Sequence, residues 1–404
     1  MNMPKFATAA LICLAAYLPL PGFAQQADPP VFLLKSTVLQ QRKAAVAQHD
    51  PQAEKALADL LQQAGRALQH GPYAVTLKSK VPPSGDKHDY MSVGPYWWPD
   101  TTKANGLPYI RRDGETNPER YAVKDDSYFN ALCGDVKILG LAWFYTGDEK
   151  YAAYAAKLLH TWFLDPNTHM NPNLNYGQAI PGITEGRGIG LIDTHAVVAL
   201  IDGMQLLKNS PAFPAADFAG IQDWFRRFLT WMRTSKIGQE ELVAKNNHGT
   251  WYDVQAVAIA LFTEQPQLAK QLLQEQTMPR IDRQLEADGR QPLELERTLS
   301  WNYSYFNLAA FFELATMAEQ VQVDLWHYQS PGGKSLRKAF TWMLPFAANK
   351  ATWQYQQIKP MNTDAYITLA MIAADKYHDL DLSALWQVHP QQPDYIYLLT
   401  GWGS

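Results

Sequence analysis

The chain has 404 residues, with 35 Lys and Arg against 39 Asp and Glu, a formal net charge of −4 that excludes a strongly basic nucleic-acid binder. Apolar residues make up 47% and charged residues 18%, a balance that supplies a large core and excludes a disordered or fibrous chain. Aromatics reach 12%, with 13 Trp and 20 Tyr, and such flat side chains with a polar handle suit a sugar-binding groove as well as a core.

The N-terminus opens with Lys5, an apolar run from Phe6 to Leu18, and the turn-forming end Pro19, Pro21, Gly22, Phe23 and Ala24. This is the pattern of a secretory signal over residues 1–24, too short to span a bilayer, so no membrane association is expected after its removal. Cleavage after Ala24 leaves 380 residues and removes Lys5, taking the net charge from −4 to −5. Cys13 leaves with the signal and Cys133 stays alone, so core packing and not an intrachain disulfide must hold the fold. Export without disulfides points to a bacterial periplasm.

Apolar residues then recur at helical spacing: Leu57, Leu60, Leu61, Ala64 and Leu68; Leu132, Val136, Leu139 and Trp143; Tyr151, Tyr154, Leu158 and Trp162. The pattern continues through about 190–208, 216–234, 251–263, 266–286, 302–320, 334–347 and 363–376, with few period-2 runs and no linker to divide residues 25–404. An all-α chain this long buries its stripes well as an α/α toroid of antiparallel helix pairs around a central groove, with an irregular helical bundle as the rival. Two long irregular stretches, 71–126 and 164–189, interrupt the helices, and loops of that length are usually functional.

The first loop carries Tyr96, Trp97 and Trp98, a possible stacking platform for sugar rings, with Lys87, Arg111 and Arg112 available to carboxylates. In the second, Arg187 lies between Gly186 and Gly188, an open backbone that suits a guanidinium gripping an anion; Asp193 and His195 read as capping or core groups. Lys245, Asn246, Asn247 and His248 gather at the start of an apolar helix, where unpaired N–H groups favour an anion. Helical spacing puts His248, Trp251, Tyr252 and Gln255 on one face, so they are expected to line one wall. Further on, Glu294 and Glu296 precede Arg297 as possible ion-pair partners, with Tyr303 and Tyr305 following at the mouth of another helix.

The Asn246-Asn247-His248 element, followed later by Arg297 with Tyr303 or Tyr305, resembles the alginate lyase family of polysaccharide lyases. The first loop, from Asp86 to Asp100 with Arg111-Arg112-Asp113-Gly114, is similar to the branch containing alginate and glucuronan lyases on a helical toroid, and the likeness spans roughly 80–345. The resemblance implies β-elimination of 4-linked uronates, with an acidic polysaccharide as partner and no cofactor. The family's pattern favours Tyr303 as the catalytic tyrosine; a continuous helix from Arg297 would bring Tyr305 nearer its face, so both stay open.

Elimination removes the proton on C5 beside a carboxylate whose negative charge opposes the step, so that charge must be offset first. Asn247, His248 and Arg297 are suited to this, a base takes the C5 proton, and an acid protonates the departing O4. Where H5 and O4 share a face, as in mannuronate or glucuronate, Tyr303 serves as base and acid, its phenolate favoured by Arg297; in guluronate His248 is the base. No motif with metal-ligand spacing is present. Two other readings are a glycoside hydrolase using a pair drawn from Glu185, Asp193 and Asp253, and a non-catalytic binder of acidic sugars.

Overall fold

A computed structural model describes residues 29–389 and 394–399. The expected signal segment, 1–24, lies outside the described residues. Fifteen α-helices are described: α1 (Ser36–Ala47), α2 (Pro51–Ala67), α3 (Asp125–Thr146), α4 (Glu149–Phe163), α5 (Val197–Leu207), α6 (Ala215–Thr234), α7 (Lys236–Leu242), α8 (Asn247–Phe262), α9 (Pro266–Leu272), α10 (Met278–Gln284), α11 (Pro292–Leu295), α12 (Ser300–Ala318), α13 (Leu336–Ala347), α14 (Tyr366–Lys376) and α15 (Ser383–Val388).

The helices sort by their burial. In α8 only His248 and Leu261 are not fully buried, and α3, α5 and α12 are likewise apolar on most sides, as inner helices must be. By contrast α2, α4 and α6 bury one stripe, such as Phe218, Ile221, Trp224, Phe225, Phe228 and Met232 of α6, and present charge outward. The inner helices α3, α5, α8 and α12 stand side by side in that order, with the one-sided helices outside them. Gly140 and Gly203 bring α3 and α5 together: a Cβ on Gly140 would lie 2.7 Å from the Gly203 carbonyl. Early and late described segments meet, with Asp394–Leu398 against α2 and Lys35 paired to Asp375 of α14. The architecture is therefore the all-α toroid.

Local chemistry sets most of the helix ends. Gly147, at φ 69°, terminates α3, and the Asp148 carboxylate accepts from Lys150 N to open α4. Two expected helices are divided. Residues 190–208 form a 3₁₀ stretch, Gly188–Thr194, before α5. The expected 266–286 helix becomes α9, a π-helical turn at Leu273–Thr277 and α10, because Pro279 has no N–H to continue the α pattern. Helix α8 starts at Asn247, four residues before its apolar period, so Asn247 and His248 occupy its first turn.

The two long loops are not structureless. Strand β1 (Met91–Val93) pairs in parallel with β4 (Tyr176–Ala179), stitching one loop to the other, while β2 (Trp97–Trp98) and β3 (Ile110–Arg111) form an antiparallel ribbon. These small sheets place both loops over the helix mouths.

Candidate active site

A cavity of about 510 Å³ opens where the loops cover the N-terminal ends of α8 and α12, within the usual size of ligand pockets. Its lining includes Tyr96, Trp97, Arg187, Asn246, Asn247, His248, Arg297 and Tyr303. Residues as far apart in the chain as Tyr96 and Tyr303, 207 positions, thus meet at one place.

His248, Asn247, Arg297, Tyr303 and Arg187 are each held by a partner. His248 Nδ1 lies 2.7 Å from Glu241 Oε1, a carboxylate with 2% side-chain exposure. The carboxylate can only accept, so Nδ1 carries the proton and Nε2 is the nitrogen left for a ligand. Glu294 accepts from Asn247 N at 2.6 Å and Asn247 Nδ2 at 2.7 Å. The leading N–H of α8 is therefore satisfied by Glu294, not left open for an anion, and the Asn247 amide keeps one N–H. Burial raises the pKa of Glu294, and the two bonds from Asn247 oppose that rise.

Arg297 does not pair with Glu294 or Glu296. It forms a two-point ion pair with Asp113, Nε to Oδ2 at 3.0 Å and Nη2 to Oδ1 at 2.7 Å. Gly114, at φ +77°, turns the loop there, and a Cβ on it would lie 2.5 Å from Thr298 Oγ1. Burial pushes Asp113 upward, but the bond and charge of Arg297 outweigh it and bring its pKa down to about 2. The Arg297 guanidinium also lies 3.6 Å from the centre of the Tyr303 ring, and the Tyr303 hydroxyl is 2.7 Å from that of Tyr96.

The expectation that Arg297 makes Tyr303 a phenolate needs correction. Burial dominates and, with Tyr96, raises the Tyr303 pKa well above its ordinary value; Arg297 opposes the rise without reversing it. The resting Tyr303 is a neutral phenol. Arg187 is the contrasting cation: its Nε and Nη2 bond Gln178 O at 3.0 Å and Oε1 at 3.1 Å, and it has no ion pair among the described residues. Burial lowers its pKa, yet a guanidinium keeps its charge, which makes Arg187 a cation seeking an anion. Its guanidinium sits 5.7 Å from the Trp97 ring centre.

Six residues expected at the ligand fall elsewhere. Trp251, at 3% exposure, lies one turn deeper in α8 than His248 and packs beneath the cavity against His195 and Phe306. Tyr252, at 1% exposure, turns outward and donates to Met232 O of α6; Gln255 is likewise buried, bonded to Thr194 and Leu191. The expected wall of His248, Trp251, Tyr252 and Gln255 does not form. Lys245 is exposed outside the cavity lining. Trp98 faces the opposite side of β2 from Trp97, with Nε1 donating to Glu115 O and Arg112 over its ring. Tyr305 is about 200° around α12 from Tyr303 and is absent from the lining. Burial and then Glu313 raise its pKa to about 12. Helix α12 begins at Ser300, so the continuous-helix argument for Tyr305 lapses.

The carboxylates expected of a hydrolase are not assembled. Asp253 is buried in a pair with Arg280, and Glu185 is exposed outside the lining. Asp193 borders the cavity with both oxygens engaged, by Gln178 on one and by Tyr90 and Ser92 on the other. Among the described residues no group of three or more His, Cys, Asp or Glu side chains is placed to hold a metal ion.

Sequence reasoning missed Glu241 altogether, a residue in a polar run with no local signal. It read Glu294 only as a possible ion partner and Asp113 only as part of a loop.

Fold and site together define a polysaccharide lyase of the helical-toroid class. The family model for alginate lyase matches residues 74–353, and the chain belongs to that family. A crystal structure of an alginate lyase from Bacteroides ovatus is 37% identical, with a TM-score of 0.89, covering 93% of this chain and all of that one. Alginate lyase A1-III from Sphingomonas species A1 is 16% identical, with a TM-score of 0.54 and coverage of 88% and 92% respectively. A variant of A1-III complexed with a tetrasaccharide is also 16% identical, with a TM-score of 0.57 and coverage of 94% and 98%; at this identity the likeness concerns the fold alone. No curated protein matches the chain.

Proposed function

We propose that the protein depolymerises 4-linked uronates, alginate and glucuronan among them, by β-elimination. The observation that carries the reading is the meeting in one cavity of Asn247, His248, Tyr303 and Arg297, the last paired to Asp113, with Arg187 as a cation that has no direct ion pair among the described residues. Asn247 and Arg187 bind uronate carboxylates. His248 Nε2, its ring fixed through Nδ1 by Glu241, takes the C5 proton. The C5–H electrons become the C4=C5 bond, the C4–O4 bond breaks, and the neutral Tyr303 phenol protonates O4. That division suits substrates whose H5 and O4 lie on opposite faces.

For substrates with both on one face, Tyr303 acts twice: His248 Nε2 first takes the phenol proton, the Tyr303 phenolate removes H5, and the phenol so formed gives that proton to the departing O4, which restores the phenolate. This second route is favoured by the Arg297 guanidinium 3.6 Å from the ring centre, the charge that opposes the rise in the Tyr303 pKa and supports a transient phenolate. Residues 25–404 act as one catalytic unit in the periplasm after loss of 1–24; N-terminal sequencing of the protein from a periplasmic fraction tests this, with an intact Met1 as the opposing result. The test of the reaction is ultraviolet absorbance during incubation with polymannuronate, polyguluronate and glucuronan. A lyase yields the conjugated unsaturated uronate; reducing ends without absorbance would assign a hydrolase.

A further inference from the structure

Two neutral side chains on the α3 and 3₁₀ side of the cavity share an arrangement that the elimination chemistry does not use. His195 borders the cavity, and its Nδ1 lies 2.9 Å from Ile192 O in the turn just before it. A carbonyl oxygen only accepts, so Nδ1 must donate, and in the neutral ring Nε2 is a bare acceptor. The ring is held edge-on between Trp251, at 5.1 Å, and Phe306, at 5.4 Å. Burial holds the imidazole's pKa below its ordinary value, the Ile192 contact opposing, so the neutral form prevails at neutral pH. Nε2 has no hydrogen-bond partner among the described residues.

Asn130 of α3 follows the same logic. Its Nδ2 donates to Asp126 O at 2.8 Å and approaches Asp193 O at 3.5 Å, which leaves Oδ1 as the side chain's acceptor. The neighbouring carboxylates are already engaged: Asp126 by Arg120 and Ser127, Asp193 by Gln178, Tyr90 and Ser92. Arg187 and Asn247 therefore offer donors, whereas this wall offers neutral acceptors fixed by their own main chain. A neutral acceptor has no attraction for a carboxylate and matches a hydroxyl.

We propose that His195, assisted by Asn130, is a specificity-determining residue that accepts a hydrogen bond from a free ring hydroxyl of the bound uronate and so discriminates against O-acylated sugars. Acylation removes the donor and sets an ester oxygen against a bare nitrogen, leaving both acceptors unpaired in a confined site. It also adds bulk beside Phe306. The inference rests on the uronate-lyase reading, and its test separates the two.

Wild type, His195→Phe and His195→Gln are assayed on polymannuronate in O-acetylated and de-O-acetylated form, with thermal midpoints recorded. Phe keeps a ring between Trp251 and Phe306 but has no acceptor; Gln restores one. The expected result for His195→Phe is a KM on the de-O-acetylated polymer raised about 5- to 10-fold with kcat within about twofold, the worth of one neutral hydrogen bond. Its preference for that polymer falls by a similar factor, and His195→Gln recovers most of both. Equal losses in the two variants, or an unchanged acetyl preference in His195→Phe, would overturn the proposal. If wild type forms no unsaturated product from any uronate polymer, the lyase reading fails instead. Calorimetric titration of saturated oligouronates, acetylated and free, into wild type and His195→Phe then still decides the role of His195.

Discussion

Replacing Glu241 with Gln keeps the volume of a buried side chain and removes only its charge. In the structure the Glu241 carboxylate accepts a hydrogen bond from His248 Nδ1 at 2.7 Å, and the two side chains are only 2% and 15% exposed. A charge-assisted hydrogen bond in such a place is worth about 1.5–3 kcal/mol, so losing the charge alone costs roughly 10- to 100-fold in rate. A second effect adds to it. The Gln amide can turn its NH2 toward Nδ1, which then becomes the bare nitrogen and leaves the proton on Nε2, where the base is needed. General base catalysis contributes about 10²–10⁴-fold, so the expected kcat of Glu241→Gln lies about 10²–10⁴ below wild type. KM should stay within about threefold, because Glu241 does not border the cavity. Initial rates from ultraviolet absorbance on polyguluronate, where His248 acts as base, give both constants. Turnover of Glu241→Gln within threefold of wild type on that substrate would refute the assignment of His248 as an oriented base.

Tyr303→Phe should lower kcat by about 10²–10⁴ on every substrate while oligouronates still bind by calorimetry, since the phenol is acid in both routes. Its thermal midpoint should hardly move, because the ring remains beside the Arg297 guanidinium. Arg187→Ala should raise KM about 10- to 100-fold with a smaller change in kcat, and weaken the salt dependence of KM, both read from rates at varied ionic strength. Asp113→Asn should destabilise the protein above about pH 4 by about 1 kcal/mol after allowance for solvent screening. The Asp113 pKa is depressed to about 2 in the folded protein, so its contribution is present above the unfolded value and vanishes as pH falls toward 2. Denaturant melts of both proteins across that range should converge at the acid end.

The linear order of residues was enough to establish the helices and two of the site's elements. The apolar periods of α3, α4 and α6 arise within single helices, and Asn247 and His248 adjoin in one turn, so local physics makes them legible. Depth and partnership were decided only by the tertiary structure. Trp251 shares a helix face with His248 but sits one turn lower, and that small step takes it beneath the cavity into the core. Arg297 had acidic neighbours one and three residues away, yet the chain path brought it Asp113 from 184 positions earlier, through a glycine turn in a loop with no periodic signal. The charge state of Tyr303 followed the same rule: a guanidinium beside it argued for a phenolate, and burial, which belongs to the assembled fold alone, outweighed the neighbour.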